Sequence, residues 1–416
     1  MTTVRRLAHF ALGLWLGASA LADTKARRIL YNLDGDSCMT LKAGRKGPGP
    51  ITPDDLRTIF AELTRPSSQV DTLLVCVNAQ VMYYPSKAGT MRGTLATEAE
   101  RAKWPASEQQ RFRNVQAMFE AGVDPYALLL AEARRRGLEA LLTFRMNDAH
   151  GNDFLRTAFW RDHPEYRLGN GALDFTHEAV RDYVFRLIEE AVQRYQCDGI
   201  ELDFQRFPTF FAPSRSRDGK AAIEESEIRS PKSESGPNST TSPPTEAEER
   251  IAEINSLVER VRRMLDAEGR KRNRRLVLAA RVPSDYGKSP PSHEKSREIG
   301  CDPVAWAKHG WIDFLTVSEF LFVRYDLPIR PWKQLIPSIP IYGGIECAEG
   351  SRLKQCLTPE KYRRAARHLW AEGADGIYLF NFFTTREWEK DAFEPPFEVL
   401  RELGDPHTLQ DTSPRR

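Results

Sequence analysis

Hydrophobic and polar positions along this chain follow two periods in turn. From Arg28 onward, short runs rich in Ile, Leu and Val alternate with longer stretches whose apolar residues recur every three or four positions. Parallel strands separated by amphipathic helices give this pattern. Eight strands are expected, at Ile29 to Asp34, Thr72 to Asn78, Ala140 to Met146, Gly199 to Phe204, Leu276 to Val282, Phe314 to Ser318, Ile339 to Ile345 and Gly376 to Phe382. Before the fourth strand, Val180, Tyr183, Val184, Leu187, Ile188, Ala191 and Val192 form one apolar helical stripe, suited to covering a sheet. Thr52-Pro53, Asp124-Pro125, Asp302-Pro303 and Thr358-Pro359 mark helix starts, Thr245 with Glu248 forms a capping box, and Gly137, Gly269 and Gly373 mark stops. Cys197-Asp198-Gly199-Ile200 and Ala374-Asp375-Gly376-Ile377 begin alike, which suggests equivalent positions in two half-barrels.

Eight such units predict an α/β fold, a single (β/α)8 TIM barrel over residues 23–406. A doubly wound sheet would call for a glycine-rich phosphate loop after the first strand, and none follows. Residues 213–244, rich in Ser, Arg, Glu, Pro and Lys, cannot bury enough surface to order themselves. They are expected to form a disordered insertion in the fourth βα loop, and without aromatic anchors they read as a tolerated insertion rather than a lid. Residues 407–416 read as a flexible tail. At the other end, Arg5 and Arg6 precede an apolar run from Leu7 to Leu16, and Ala20-Leu21-Ala22 offers small residues for cleavage. Residues 1–22 are therefore expected to be a signal peptide, with export to the periplasm or beyond. The run is short of the roughly 20 residues a spanning helix needs, so no stable membrane insertion is expected.

A net charge of +2, from 60 basic and 58 acidic residues, gives no overall reason to expect a nucleic acid or an anionic membrane as partner. Six cysteines in an exported chain raise the question of disulfides. Cys347 with Cys356 is the most plausible pair because both flank one short loop, Cys38 with Cys76 is a second, and buried free thiols are the alternative. Neither a CxxC spacing nor a Cys/His cluster occurs, so the sequence calls for no structural metal and no cofactor.

One strand departs from the apolar rule. In Asp198-Gly199-Ile200-Glu201-Leu202-Asp203-Phe204-Gln205-Arg206-Phe207-Pro208, alternation puts Ile200, Leu202 and Phe204 on one face and Glu201, Asp203 and Gln205 on the other. Acids on the inner face of a core strand cost free energy unless that face opens onto solvent or substrate.

This segment resembles the D-G-I-x-x-D-x-x-R-x-P signature of the family 10 glycosyl-hydrolase-like barrels. It also looks like a variant of the D-G-x-D-x-D-x-E strand of family 18 chitinases. Asp198 and Asp203 match the chitinase pattern, Glu201 replaces its second acid, and Gln205 stands where its catalytic acid belongs. An amide cannot protonate a glycosidic oxygen, which argues against chitinase-type chemistry. Phe159 to Tyr166 and Leu173-Asp174-Phe175 are similar to segments of the family 10-like barrels. The resemblance implies a TIM barrel that acts on glycans.

Glycoside hydrolysis normally uses two carboxyls flanking one bond, carried in barrels at the carboxyl ends of strands. Asp203 ends the fourth strand and Glu346 the seventh, a placement that resembles the acid pair of retaining barrel glycosidases. They are the leading catalytic pair, with individual roles open. An ion pair of Asp203 with Arg206 or Arg145 is the structural alternative, and for Glu346 structural and catalytic readings are balanced. Glu201, one step deeper, is expected to hold an arginine or to tune Asp203. Arg145 and Arg281 point inward by parity and would neutralise Glu201. Substrate contacts are expected among Glu201, Gln205, Arg145, Arg206, Asn147, Trp160 and Asn381. Weaker rim candidates are Asp34, Asp36, Asp148, His150 and Glu319, with Tyr83, Tyr84 and Trp332 as stacking surfaces.

These observations predict a secreted glycoside hydrolase acting on a polysaccharide or oligosaccharide. The principal alternative, motivated by Gln205, is a catalytically inactive carbohydrate-binding barrel. A polysaccharide lyase or deacetylase is a third reading, and the absence of a metal triad speaks against the deacetylase.

Overall fold

Eight parallel strands close on themselves in the computed structural model, in the order β1-β8-β7-β6-β5-β4-β3-β2. They are β1 (Ile29–Leu33), β2 (Val70–Cys76), β3 (Glu139–Arg145), β4 (Gly199–Asp203), β5 (Val277–Pro283), β6 (Phe314–Ser318), β7 (Ile341–Glu346) and β8 (Gly376–Phe380). The structure describes residues 27–213, 245–284, 293–319, 323–349, 355–387 and 393–409. The expected signal segment, the expected insertion apart from Pro213, and residues 410–416 lie outside them. The fold is the (β/α)8 barrel expected from the alternation, and each strand boundary falls within two residues of the one read from sequence.

Helix starts follow the local chemistry. Thr52 and Thr245 close reciprocal capping boxes with Asp55 and Glu248, while Asp124, Asp302 and Thr358 accept backbone N–H groups ahead of a proline. The stripe from Val180 to Val192 is buried along helix Glu178–Arg194. Gly137 and Gly373 take positive φ where helices stop, but Gly269 does not end its helix, which runs Glu246–Lys271. A Cβ on Gly269 would lie 2.4 Å from the Arg274 carbonyl, so close backbone approach requires the glycine.

The Asp-Gly-Ile echo has a structural explanation. Asp71, Asp198, Asp313 and Asp375, at or just before β2, β4, β6 and β8, accept the backbone N–H of Arg28, Ala140, Leu278 and Ile341. Each carboxylate thus satisfies a donor at the start of the preceding strand, a group the ladder leaves unpaired. The repeat is fourfold rather than twofold, and it assigns Asp198 to the amino-terminal end of the barrel, away from the mouth.

Along the barrel axis the interior changes from apolar to polar. Leu30, Leu74, Leu141, Val277, Ala279, Phe314, Tyr342, Tyr378 and Phe380 form an inner cluster separate from the shell between strands and helices. Above them on the same inward parity come Asn32, Thr143 and Glu201, then Arg145, Asp203 and Arg281 in one register row. The amino-terminal end is closed by fully buried Arg27, whose guanidinium donates to Glu139 at 2.6 and 2.8 Å.

Several expectations do not hold. Cys347 and Cys356 are free thiols, as are the other cysteines. Cys356 faces Ala348 across a short antiparallel ribbon, and Cys347 accepts from Leu357, so alternation sends the two side chains to opposite faces. The Cys76 thiol donates to the Asn78 carbonyl instead of bonding Cys38. Tyr83, Tyr84 and Trp332 are buried core residues, not exposed platforms. In the segment read as tail, Thr408 bonds Gln69 and the backbone of Glu402, and Leu409 packs on the core. No helix among the described residues is long and apolar enough to cross a membrane.

Candidate active site

The two leading acids meet on one guanidinium. Arg281 of β5 donates to Asp203 Oδ2 at 3.3 Å and to Glu346 Oε1 at 3.2 Å, while its Nε donates to Ser318 Oγ at 2.9 Å. Those two bonds and the width of one guanidinium fork keep the nearest oxygens of the acids within about 9 Å. Arg281 has no exposed surface and lies 3.9 Å from the Phe380 ring centre. The approach depends on Gly344 of β7, because a Cβ there would lie 2.3 Å from the Cβ of Ser318. Asp203 is held on its other side too: Oδ1 accepts the backbone N–H of Gln205 at 3.0 Å and of Arg206 at 3.1 Å. The strand end therefore folds over its own carboxylate, and Phe207 is driven to φ 56°, a left-handed conformation that L residues rarely adopt.

Of the two parts expected of Glu201, holding an arginine is not the one it plays. Its Oε1 accepts from Thr143 Oγ1 and from Tyr378 OH, each at 2.8 Å, and Tyr378 accepts from Asn32 at 2.7 Å. Oε2 has no hydrogen-bond partner among the described residues. Burial, and then the neighbouring Asp203 charge, push the Glu201 carboxyl up to about 7. Burial and the Glu201 charge raise the Tyr378 phenol well above its ordinary value, which keeps it a donor.

Arg145 serves a second acid group rather than Glu201. It donates to Asp34 at 2.9 Å and to Asp148 at 3.3 Å, with Tyr83 OH at 3.4 Å. Burial alone would raise Asp148, but the His150 hydrogen bond and the Arg145 charge outweigh it and hold the carboxyl well below the usual range. Asp36 is likewise held low against burial, by Arg111 and Arg92, and Glu319 is bound by Ser284 and Arg324.

The remaining expected contacts divide. Gln205 is buried with Oε1 unpartnered among the described residues, and Arg206 is buried beside it. Burial, then the Arg145 charge, lower the Arg206 guanidinium. Asn147 is committed to backbone, donating to Leu173 and Thr209 carbonyls and accepting from Leu173. The Trp160 indole donates to the Gly171 carbonyl and packs against Arg156 and Arg167. Asn381 is half-buried at φ 55°, directly after β8. Sequence reading missed Asn32, Thr143, Tyr378 and Ser318; inward parity on β1, β3, β8 and β6 was the signal that could have found them. No cluster suited to a metal ion occurs among the described residues.

No family model and no curated protein matches the chain. Solved structures with a related chain path include α-L-fucosidase isoenzyme 2 from Paenibacillus thiaminolyticus, at 12% identity and TM-score 0.49, covering 92% of this chain and 49% of that one. Chitinase ChiW from Paenibacillus sp. str. FPU-7 aligns at 10% identity and TM-score 0.48, covering 90% and 32%. A glycoside hydrolase family 18 N-acetylglucosaminidase from Paenibacillus barengoltzii aligns at 10% and 0.40, covering 90% and 98%. This chain spans about half of the fucosidase and about a third of ChiW. The likeness assigns no residue a role.

Proposed function

We propose that the protein is an exported glycoside hydrolase acting on a polysaccharide or oligosaccharide, with Asp203 and Glu346 as its acid pair. The observation that carries this reading is their convergence from β4 and β7 on Arg281 at the carboxyl end of the barrel. Their separation falls within the roughly 9.5 Å over which two carboxyls can serve one glycosidic bond. Gln205 and Arg206, next to Asp203, are the proposed substrate contacts, with Asn381 across the mouth. The committed hydrogen bonds of Asn147 and Trp160 give those two a role in shaping the loop after β3. Glu201 is proposed to tune Asp203 by like charge from two residues back on β4. Export rests on the Arg5 to Ala22 segment, and the family 10-like assignment on the Asp198 to Pro208 motif.

A second reading, the inactive carbohydrate-binding barrel, is favoured by burial. The side chains of Asp203 and Glu346 are 2% and 3% exposed, and an amide occupies position 205. A glycan panel assayed with the purified protein and its Asp203→Asn and Glu346→Gln variants separates the two. The hydrolase reading expects turnover that falls by about 10²–10⁴-fold in each variant. Turnover indifferent to both substitutions removes the site assignment, and glycan affinity without turnover selects the binding barrel.

A further inference from the structure

The segments after β2 and β3 enclose a cleft of about 350 Å³ that Asp203 and Glu346 do not line. Its volume lies in the range of small-ligand sites, ~300–1,000 Å³. Trp104 and Phe154 line it with ring centres 5.3 Å apart. The guanidinium of Arg92 lies 5.4 Å from the Phe154 ring centre.

The charge of the cleft is uneven. Lys103, Arg156 and Arg161 line it, and none forms an ion pair with a described residue. Arg156 is buried and donates to the Gly171 carbonyl at 3.1 Å, whereas Lys103 and Arg161 are exposed. Two acids oppose them. Glu100 is occupied by the N–H and hydroxyl of Thr97, and Asp153 is exposed. Three cations against two carboxylates leave a net positive cleft beside an aromatic pair.

We infer that this cleft is a subsite for a carboxylated sugar, a uronic-acid unit of a glycan whose neighbouring residues reach the barrel mouth. The inference deepens the glycan-acting function proposed above and rests on it. The aromatic pair takes the apolar face of the pyranose, and Lys103 with Arg161 takes its carboxylate. Glu100 and Asp153 offset only part of the positive charge of Lys103, Arg156 and Arg161, so the cleft favours a carboxylated sugar over a neutral one.

Calorimetry with trigalacturonate and cellotriose tests this in an Asp203→Asn/Glu346→Gln background, which bars turnover. Saturation-transfer NMR on the unmodified protein repeats the comparison should that background fold poorly. Trigalacturonate is expected to bind at least about tenfold more tightly than cellotriose, to weaken about tenfold in Lys103→Ala/Arg161→Ala, and to weaken with added salt. Equal affinities, no binding of either trisaccharide, or indifference to the double substitution would overturn the inference. Cleft-dependent binding without hydrolysis of any glycan defeats the hydrolase reading alone. Hydrolysis that requires Asp203 but ignores the cleft substitutions defeats the subsite alone.

Discussion

Replacing Glu201 with Gln isolates the cost of burying a carboxyl beside Asp203. Glu201 is fully buried, its Oε2 lacks a hydrogen-bond partner among the described residues, and its carboxyl is raised from 4.5 to about 7. At roughly 1.4 kcal/mol per pH unit, that rise corresponds to about 3 kcal/mol between the two protonation states. The folded protein holds a proton here that the unfolded chain releases near pH 4.5. Stability from this group is therefore full below pH 4.5, declines as pH rises, and is lost above about pH 7. Gln cannot titrate, yet its amide oxygen can still accept from Thr143 and Tyr378. Any fixed packing cost of the substitution shifts the variant equally at every pH, so the difference between the two stability curves reports the carboxyl. Denaturant unfolding of both proteins in matched buffers should show the variant gaining on the parent by about 3 kcal/mol from pH 4.5 to about pH 7. A difference curve flat to within about 1 kcal/mol would mean that Glu201 is ionised without penalty, and the burial argument would be wrong.

Removing Arg281 should be severe: Arg281→Met leaves two buried carboxylates facing each other, at a cost of about 3–5 kcal/mol in denaturant unfolding. Adding Asp203→Asn and Glu346→Gln should recover much of that loss, and a single-variant loss below about 1 kcal/mol would contradict the bridge. At the other end of the barrel, Asp313 is 1% exposed and joins the Leu278 N–H to Arg262 and Arg275, so Asp313→Ala should cost about 2–3 kcal/mol. Asp71 plays the same part for Arg28 with a side chain 20% exposed, and Asp71→Ala should cost under about 1 kcal/mol. Equal losses at the two positions would show that burial does not set the strength of this repeated contact.

Periodicity made the barrel legible. A strand or helix exposes its buried face at a fixed spacing, so Val180 to Val192 and the eight apolar runs declared their elements without tertiary information. Inward parity likewise placed Asp203 and Arg281 in the interior. Parity does not say which inward groups meet across the lumen, because that depends on strand tilt and on how closely backbones approach. Arg281 was expected to neutralise Glu201; the small residue at Gly344 lets Ser318 and Arg281 settle so that the guanidinium reaches Asp203 and Glu346 instead. Loop aromatics were the least legible, since Tyr84 and Trp332 carry the same side chains whether they face sugar or core.

The polar layer also explains why one acid holds its proton far above the usual carboxylate range. Around the mouth, Asp34, Asp148, Asp203 and Glu346 meet Arg145, Arg206 and Arg281, with His150 also on Asp148, so acids and cations come close to balance before Glu201 is considered. Ionising Glu201 would put a further carboxylate charge in a buried space beside Asp203, and its elevated carboxyl is the physical response. Carboxylates at the mouth suit the proposed chemistry, because glycoside cleavage develops positive charge on the sugar in an oxocarbenium-like transition state. Arg281 then fixes the geometry of Asp203 and Glu346 without cancelling their combined charge. A layer built only for folding has little need of such ions, since swapping buried ion clusters for apolar residues of similar volume is often stabilising. Keeping buried acids at the end of the barrel where β4 and β7 present them therefore accords with the proposed hydrolase, whose acid pair must sit at that end.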